Sequence, residues 1–408
     1  MMNLEKVQSL VNQYGSPLYV FDVDGFCENY RHLVNSMTDV YPRYRLAYSY
    51  KTNYTPYICK LVKSLGGYAE VVSDMEYLVA RRVGYEDNMI IYNGPVKGPL
   101  METMLLQGGL VNIDNYTEAK RIVALAKANT SIVIRVGLRL NVDVGQGFVS
   151  RFGIDSDSQD VAQIVQLLKS VPNVKVAGIH MHVGRTRGVD AWHRRSVQMI
   201  EIADNLFDEV PKFIDLGSGM FGCMEDVLAK QFADTIPSYE QYAEAVAKPF
   251  QKRYGHLPID KQPILFTEPG TTVANRYMDF IAQVQSIKSV RGKTFVALNC
   301  SIDNIGTMCK SRKLPLRIIA NGQDRITVND ACLVGYTCLE YDVMYKEFSG
   351  EISENDYVVF GNVGGYSNVS KPPFILWNCP MIAQLPDGKY EVIKQQEKFD
   401  DVFNTYVF

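Results

Sequence analysis

The stretch that decides the fold is LAYSYKTN, at residues 46–53. An apolar and aromatic run ends there on a single lysine, Lys51, and turn-forming polar residues follow at once. This pattern predicts a buried strand that delivers one cation at its carboxyl end. A buried lysine is costly unless it is paired or works as an uncharged amine, and desolvated amines form Schiff bases with carbonyl cofactors. The alternative is a strand-end lysine that points into water.

Strand and helix patterns alternate from residue 24 onward, which sets the predicted architecture. With the strand before Lys51, the pattern gives eight strand–helix units within about 240 residues, the length and order of a (β/α)8 barrel. A doubly wound open sheet is the alternative, but no Gly-x-Gly-x-x-Gly motif follows the first strand. The later barrel strands are predicted at 69–72, 89–92, 110–113, 132–136, 176–179, 213–215 and 264–267.

After residue 275 the helical period fades and short β-rich runs take over. The predicted fold class is therefore α/β, a TIM-like barrel followed by a C-terminal, mostly β domain. We predict three parts: an N-terminal segment, 1–23, that joins the β domain; the barrel, 24–275; and the β domain, 276–408. The β runs lie at 280–284, 294–298, 316–319, 325–328, 357–360, 374–376 and 390–393.

Composition excludes several classes of protein. The chain has 408 residues and a net charge of −3 without a basic block, so no nucleic-acid partner is predicted. No apolar run approaches the length of a membrane span, and the first residues lack the pattern of a signal peptide. The eight cysteines are scattered without a Cys-x-x-Cys pair, which predicts reduced thiols in a cytoplasmic protein.

Polar side chains cluster where the predicted barrel strands end, and barrel active sites lie at the carboxyl ends of the strands. The strand ends carry Lys51, Glu70, Asn93, Asp114, Arg139 with Asn141, His180 with His182, Asp215 to Gly219, and Glu268. This concentration of ionisable and glycine residues predicts an active site at that end of the barrel.

Three of these groups have a specific chemistry. Gly217, Ser218 and Gly219 can present backbone N–H groups to a phosphate, although a plain tight turn is an equal alternative. Glu268 can hold a protonated pyridine nitrogen, and Gly270 allows a close approach of the backbone; the alternative for Glu268 is a salt bridge.

His180 and His182 face the same side of one strand, so one of them can lie flat against an aromatic ring. They could instead be zinc ligands of a metallohydrolase, but further ligands would be needed and we predict no metal. A lysine for an aldehyde, a phosphate loop, a carboxylate for a pyridine nitrogen and a flat imidazole together describe a site for pyridoxal 5′-phosphate (PLP).

The chain resembles the PLP-dependent diaminopimelate/ornithine decarboxylase family, which has the alanine-racemase type of fold. The resemblance covers nearly the whole chain, in the expected order. It is carried by 14–22 (the entry strand), 48–53 (the PLP-lysine motif), 70–76, 150–154, 182–184, 215–219, 268–270, Cys338 with Asp342, and 364–366.

The resemblance implies a head-to-tail homodimer in which Cys338 and Tyr366 complete the active site of the other subunit. It also implies that Lys51 forms the Schiff base, His182 stacks on the cofactor ring and Glu268 binds the ring nitrogen. Tyr366 would contact the phosphate, and Cys338 would return a proton to the substrate carbon after CO2 leaves. Thiols suit proton transfer near neutral pH. We further predict that Arg139, Glu340 and Asp342 contact the substrate.

Departures from the family pattern concern the substrate. An acidic residue is expected directly after Cys338, but Leu339 stands at that position and Glu340 follows one residue later. If the backbone is extended there, Glu340 points to the side opposite from its neighbours. Thr271 stands where an arginine is expected, and Arg185 where a serine is usual. We therefore predict an amino-acid substrate whose far end is larger, less cationic or carrier-attached, as in a natural-product or siderophore pathway. The alternatives are diaminopimelate decarboxylase itself, a racemase or epimerase of the same superfamily, and a non-catalytic PLP carrier.

Overall fold

The computed structural model describes residues 2–145, 147 and 149–407. The chain divides into two compact units. The first contains Met1–Cys27, Gly222–Ala233 and Val273–Phe408, and the second contains Glu28–Phe221 and Asp234–Thr272. The predicted barrel boundaries, 24 and 275, differ from these mainly at Gly222–Ala233, so the domain boundaries stay a prediction.

The secondary-structure elements are numbered along the chain. The helices are α1 (Leu4–Tyr14), α2 (Val23–Val40), α3 (Pro56–Ser64), α4 (Asp74–Arg82), α5 (Leu100–Leu106), α6 (Tyr116–Ala128), α7 (Gln159–Lys169), α8 (Val189–Leu206), α9 (Asp226–Ala229), α10 (Tyr239–Tyr254), α11 (Thr271–Ala274) and α12 (Phe399–Phe403). The strands are β1 (Leu18–Asp22), β2 (Tyr44–Ser49), β3 (Tyr68–Val71), β4 (Ile90–Tyr92), β5 (Leu110–Ile113), β6 (Ile134–Asn141), β7 (Ile154–Asp155), β8 (Val174–His180), β9 (Phe213–Asp215), β10 (Ile264–Thr267), β11 (Met278–Val290), β12 (Lys293–Leu298), β13 (Leu316–Ile319), β14 (Ile326–Val334), β15 (Val343–Ile352), β16 (Tyr357–Phe360), β17 (Met381–Gln384) and β18 (Tyr390–Lys394).

The second unit is a closed parallel barrel, as predicted. Eight strands pair in the order β2-β3-β4-β5-β6-β8-β9-β10, and β10 pairs with β2 to close the ring. The short β7 adds to the end of β6. Closure rules out the open doubly wound sheet, and it brings the carboxyl ends of all eight strands to one rim.

The barrel strands read as nearly continuous apolar runs because both of their faces are buried. Strands β4 and β9 are buried at every position, and β2 at all but one. Side chains from five barrel strands, β2, β4, β8, β9 and β10, form one apolar cluster that contains Ala47, Ile91, Ala177, Phe213 and Phe266. This packed interior leaves the strand ends as the place where polar side chains gather.

The first unit is mostly β, as predicted. Its main path runs β15-β14-β12-β11-β1-β17-β18, and β16 joins β11 to β13. The N-terminal β1 pairs antiparallel with β11 and parallel with β17. The core beside β1 includes Val7, Leu18, Val20, Ile281 and Ile382.

Sequence patterns fail at three places in this unit. The strand predicted at 374–376 is wrong, because these residues are exposed and Ile375 has a φ of 65°, which interrupts an extended chain. Strand β15 was not predicted, because it is an edge strand whose many exposed polar side chains hide the alternation. Strand β17 is also absent from the predicted strands, because it has only four residues and directly follows Pro380, a residue typical of turns.

No helix within the described ranges is long and apolar enough to cross a membrane.

Candidate active site

Lys51 lies in a single 3-10 turn, Tyr50–Thr52, immediately after β2. Its Nζ is 2.7 Å from Oε2 of Glu70, whose side chain is only 1% exposed, so the amine pairs with a buried carboxylate. The same oxygen accepts a hydrogen bond of 2.6 Å from Ser49 Oγ. The strand therefore places Lys51 in a polar network. The lysine side chain is 31% exposed, so part of it is accessible to a ligand.

A chain of buried hydrogen bonds joins this lysine to the last barrel strand. The amide nitrogen of Asn93 donates to Glu268 Oε1 and lies 3.4 Å from Glu70 Oε1. Asn112 in turn donates to Asn93 Oδ1 at 2.7 Å, which fixes the orientation of the amide. His180 Nε2 lies 3.3 Å from the other oxygen of Glu268. Residues of six barrel strands are thus connected by direct contacts.

The pKa values of the two buried carboxyl groups at 215 and 268 are shifted in opposite directions. Burial alone would raise the pKa of Glu268, but interactions with His180 and Lys51 lower it below its usual value. Burial and the neighbouring negative charge of Glu268 raise the pKa of Asp215 well above its usual value. Glu268 is consequently ionised at neutral pH, which suits it to hold a cationic ring nitrogen.

His182 is held as a neutral imidazole at the rim of the barrel. Burial, and then the positive charge of Lys51, lower the pKa of His182 to about 3. Its Nδ1 accepts a hydrogen bond of 3.3 Å from the backbone N–H of Ser218, which requires an unprotonated Nδ1. The imidazole side chain remains 27% exposed, so one side of the ring is open to a ligand.

The loop after β9 turns sharply at two glycines. Gly217 and Gly219 have φ values of 62° and 113°, and a Cβ atom at either position would lie 2.4 Å from a backbone oxygen. The predicted phosphate loop therefore needs glycine at both positions. Gly217 N–H is committed to Asp215 Oδ1 at 2.9 Å, and Ser218 N–H to His182. The N–H groups of Gly219 and Met220 have no acceptor among the residues that the structure describes.

Gly270 permits a close approach, but the partner is Thr52. A Cβ atom on Gly270 would lie 1.9 Å from Thr52 Oγ1, so this glycine packs directly against the turn that carries Lys51. Arg139 is buried at the end of β6, where its Nη1 donates to Asn93 O at 2.8 Å and lies 3.4 Å from Asp114 Oδ1. Its other N–H groups make no hydrogen bond to the described part of the chain.

The remaining predicted site residues belong to the first unit. Cys338 and Glu340 are exposed in the loop between β14 and β15, which bends and turns. Glu340 lies on a turn, so the condition of an extended backbone does not hold there. Asp342 is buried, and its carboxylate accepts from Ile302 N–H at 2.7 Å and from Thr337 Oγ1 at 2.6 Å. Tyr366 is half-buried with a φ of 55°.

Several residues at this end of the barrel have no cofactor or substrate role assigned from the sequence. Glu70, Asn93, His180 and Asp215 carried one signal, their position at strand ends. Lys97 and Glu118 form a buried ion pair of 2.8 Å that had no such signal. Arg195, inside α8, has no such signal either, because the sequence of a helix does not distinguish a buried arginine from one at the surface.

The barrel unit fits PLP on the geometry described above. It offers one amine held by a buried carboxylate, an ionised buried carboxylate for a ring nitrogen, a neutral half-open imidazole, and a glycine loop with two N–H groups that have no acceptor within the described chain. The comparisons with known proteins agree. A family model described as "Pyridoxal-dependent decarboxylase, pyridoxal binding domain" matches residues 28–275.

Relatives match over nearly their full length. Diaminopimelate decarboxylase of Methanothermobacter thermautotrophicus is 22% identical, over 96% of this chain and 92% of the relative. The L-glutamyl-[BtrI acyl-carrier protein] decarboxylase of Niallia circulans is 24% identical, over 99% of this chain and 97% of the relative. The solved structure of diaminopimelate decarboxylase from M. jannaschii has the same fold, with a TM-score of 0.84 at 19% identity, covering 98% of this chain and 94% of the other.

The chain therefore belongs to the pyridoxal-dependent decarboxylase family. It is a PLP-dependent amino-acid decarboxylase, which confirms the predicted family, enzyme class and cofactor.

Proposed function

We propose that this enzyme decarboxylates an α-amino acid whose far end carries no free ammonium group, such as a carrier-attached or acylated amino acid. The observation that carries this proposal is the loop after Cys338, where the next residue is the uncharged Leu339. Glu340 is exposed on a turn instead of taking that position. The similarity to an acyl-carrier-protein-linked glutamyl decarboxylase, over 99% of this chain, supports the same substrate class.

Each site residue has a proposed role. Bound PLP supplies an electron sink for the bond between Cα and the carboxylate. Lys51 holds the aldehyde, and Glu70 keeps the amine oriented through their 2.7 Å contact. Glu268 holds the ring nitrogen, and His182 covers one face of the ring. The loop of Gly217, Ser218 and Gly219 binds the phosphate through the N–H groups of Gly219 and Met220, while Gly270 lets the Lys51 turn pack closely.

The remaining roles concern the substrate and the partner subunit. Arg139 binds a substrate carboxylate, because its guanidinium keeps N–H groups without an acceptor in the described chain and is itself fixed by Asn93 O. Cys338 donates the proton to Cα, and Tyr366 contacts the phosphate. Asp342 fixes the Cys338 loop, since both of its oxygens accept hydrogen bonds from the chain; we propose it as a positioning residue instead of a substrate ligand.

We propose that the enzyme works as a homodimer. The first unit exposes a run of apolar side chains at Phe374, Ile375, Leu376 and Trp377, each between 40% and 53% exposed. Tyr336, from the Cys338 loop, lies 3.4 Å from the backbone oxygen of Phe374, so the run and the loop share one surface. A second copy covering this surface would take Cys338 out of solvent and into an active site.

One observation favours the alternative, diaminopimelate decarboxylase itself. A cavity of about 770 Å³ in the barrel unit is lined by five aspartates, and Arg151 is the one cation among its described lining residues. An acidic cavity attracts a substrate with a cationic far end. The aspartates are Asp114, Asp143, Asp155, Asp157 and Asp160.

The test is CO2 release by the purified, PLP-loaded protein over a panel of amino acids, with α-deuterium exchange followed in parallel. The panel contains ornithine, lysine, the diaminopimelate isomers, glutamate, and acylated or carrier-attached glutamate. We expect CO2 from an acylated or carrier-attached substrate and little from free diamines. Release from diaminopimelate would overturn the proposed substrate class, and exchange without CO2 would indicate a racemase.

A further inference from the structure

Arg195 is a fully buried arginine whose hydrogen-bond partners are all neutral. Its Nη1 donates to the backbone oxygen of Ser218 at 3.2 Å. Its Nη2 donates to the backbone oxygens of Arg185 and Thr186, at 2.9 and 2.8 Å. The guanidinium lies over the ring of Trp192, 4.5 Å from the ring centroid.

This charge has no counter-ion in the described chain. No carboxylate there forms an ion pair with Arg195, and its Nε has no hydrogen-bond partner. Burial lowers the pKa of Arg195 to about 10, so the side chain remains a cation at neutral pH. A buried charge without an opposite charge is costly to a fold, so an anion bound nearby would offset part of that cost.

The guanidinium lies directly behind the loop after β9. A Cβ atom on Gly219 would lie 3.6 Å from Nη1 of Arg195. Because the C=O and N–H of one peptide unit point in opposite directions, binding Ser218 O turns the N–H of Gly219 away from Arg195. That N–H has no acceptor among the described residues. Arg195 also binds the backbone oxygens of Arg185 and Thr186, so the N–H groups of the two peptide units that follow these residues likewise point away from Arg195.

We propose that Arg195 is a positioning residue for the cofactor phosphate: it holds the two loops with their N–H groups outward, and its charge is balanced by the phosphate without direct contact. This inference rests on the proposed role of Gly217 to Gly219 as the phosphate loop. The ligand it addresses is a dianionic phosphate ester, so its effect belongs to PLP and not to pyridoxal, which lacks the phosphate.

The experiment compares binding of PLP and pyridoxal to the cofactor-stripped, full-length protein, followed by the absorbance of the bound cofactor. Arg195→Gln removes the charge and keeps one donor for the loop carbonyls. We expect it to weaken PLP binding at least about tenfold while pyridoxal binding changes less than about twofold. The matched control is Thr272→Val, which removes a neutral 3.0 Å hydrogen bond to Met220 O in the same loop. It should leave the ratio of the two affinities unchanged.

Equal weakening of PLP and pyridoxal binding by Arg195→Gln would overturn the proposal, since Arg195 would then serve only the fold. If that variant does not fold, Arg195→Lys decides: keeping the charge should keep the wild-type ratio, and a lost ratio would refute a charge effect. Gly219→Ala tests the underlying assignment. If Gly219→Ala leaves the ratio of PLP affinity to pyridoxal affinity unchanged, the phosphate loop itself is misassigned. If Gly219→Ala lowers this ratio and Arg195→Gln does not, only the proposed role of Arg195 fails.

Discussion

At the scale of single residues, the barrel rim shifts the pKa values of chemically similar groups in opposite directions. Glu268 and Asp215 are both buried carboxyl groups, yet His180 and Lys51 lower the pKa of Glu268, while burial and the charge of Glu268 raise the pKa of Asp215. His182 stays neutral because burial, and then the positive charge of Lys51, lower its pKa to about 3. The site therefore holds its charges before any ligand arrives, which reduces the reorganisation that binding requires.

The neutral state of His182 predicts a pH dependence of stability. Its pKa falls from 6.5 to about 3 in the folded chain, so between these values the unfolded state binds more protons. The contribution of His182 is therefore complete above pH 6.5 and is lost as the pH falls. Between about pH 7.5 and 5.5 the cofactor-free wild type should lose about 1.4 kcal/mol more unfolding free energy than His182→Asn.

Urea unfolding at the two pH values measures this difference. His182→Asn keeps an acceptor for Ser218 N–H but cannot titrate, so it isolates the proton from the hydrogen bond. Parallel losses in both proteins would show that His182 is protonated in the folded state.

At the scale of elements, short turns after the strands place the site. Lys51 is carried by one 3-10 turn, and that turn is fixed by the backbone at Gly270 across the β2–β10 seam. The glycines of the β9 loop instead approach backbone oxygens, which cannot move aside. Glycine is thus required for two different reasons: a Cβ atom would meet a side chain at Gly270 and the main chain at Gly217 and Gly219.

Gly270→Ala should destabilise the protein by about 1–3 kcal/mol, because the new Cβ would overlap Thr52 Oγ1. Thr52→Ala removes that atom, so the double variant should recover about 1 kcal/mol or more of the loss. Denaturant unfolding of both single variants and the double variant measures the coupling. Gly217→Ala is the matched control, since its clash is with Met181 O and Thr52→Ala cannot relieve it. Additive effects of Gly270→Ala and Thr52→Ala would contradict this contact.

At the scale of the whole molecule, the exposed Cys338 loop and the apolar run beside it motivate the proposed dimer. If each site takes Lys51 from one subunit and Cys338 from the other, two inactive variants can complement each other. A mixed dimer of Lys51→Ala and Cys338→Ala would contain one site with both residues intact.

Mixing the two variants after subunit exchange should therefore restore about a quarter of the wild-type activity, because half of the dimers are mixed and each has one intact site. The control mixes the double variant with either single variant, which should restore nothing. Absence of recovery in a mixture shown to contain mixed dimers would place Lys51 and Cys338 of the same chain in one site.

Local sequence determined the barrel, most strands of the β domain and the strand-end side chains. Apolar runs of strand length between amphipathic helices leave few other architectures, and Lys51, His182 and Glu268 each directly follow or end such a run. Strand β15 is missing from the predicted strands because an edge strand needs few apolar residues. The strand predicted at 374–376 is wrong because the apolar side chains of that run lie at the surface.

Tertiary structure alone decided the pairings and the charge states. Three features depend on distances between strands far apart in the chain: the carboxylate that pairs with Lys51, the opposite pKa shifts of Glu268 and Asp215, and the close approach of Gly270 to Thr52. The same holds for Arg195, whose helical sequence context gives no hint of burial behind the β9 loop. Residue types and their periodicity are local properties, whereas desolvation and Coulomb energies are set by which groups the closed barrel brings within a few ångströms.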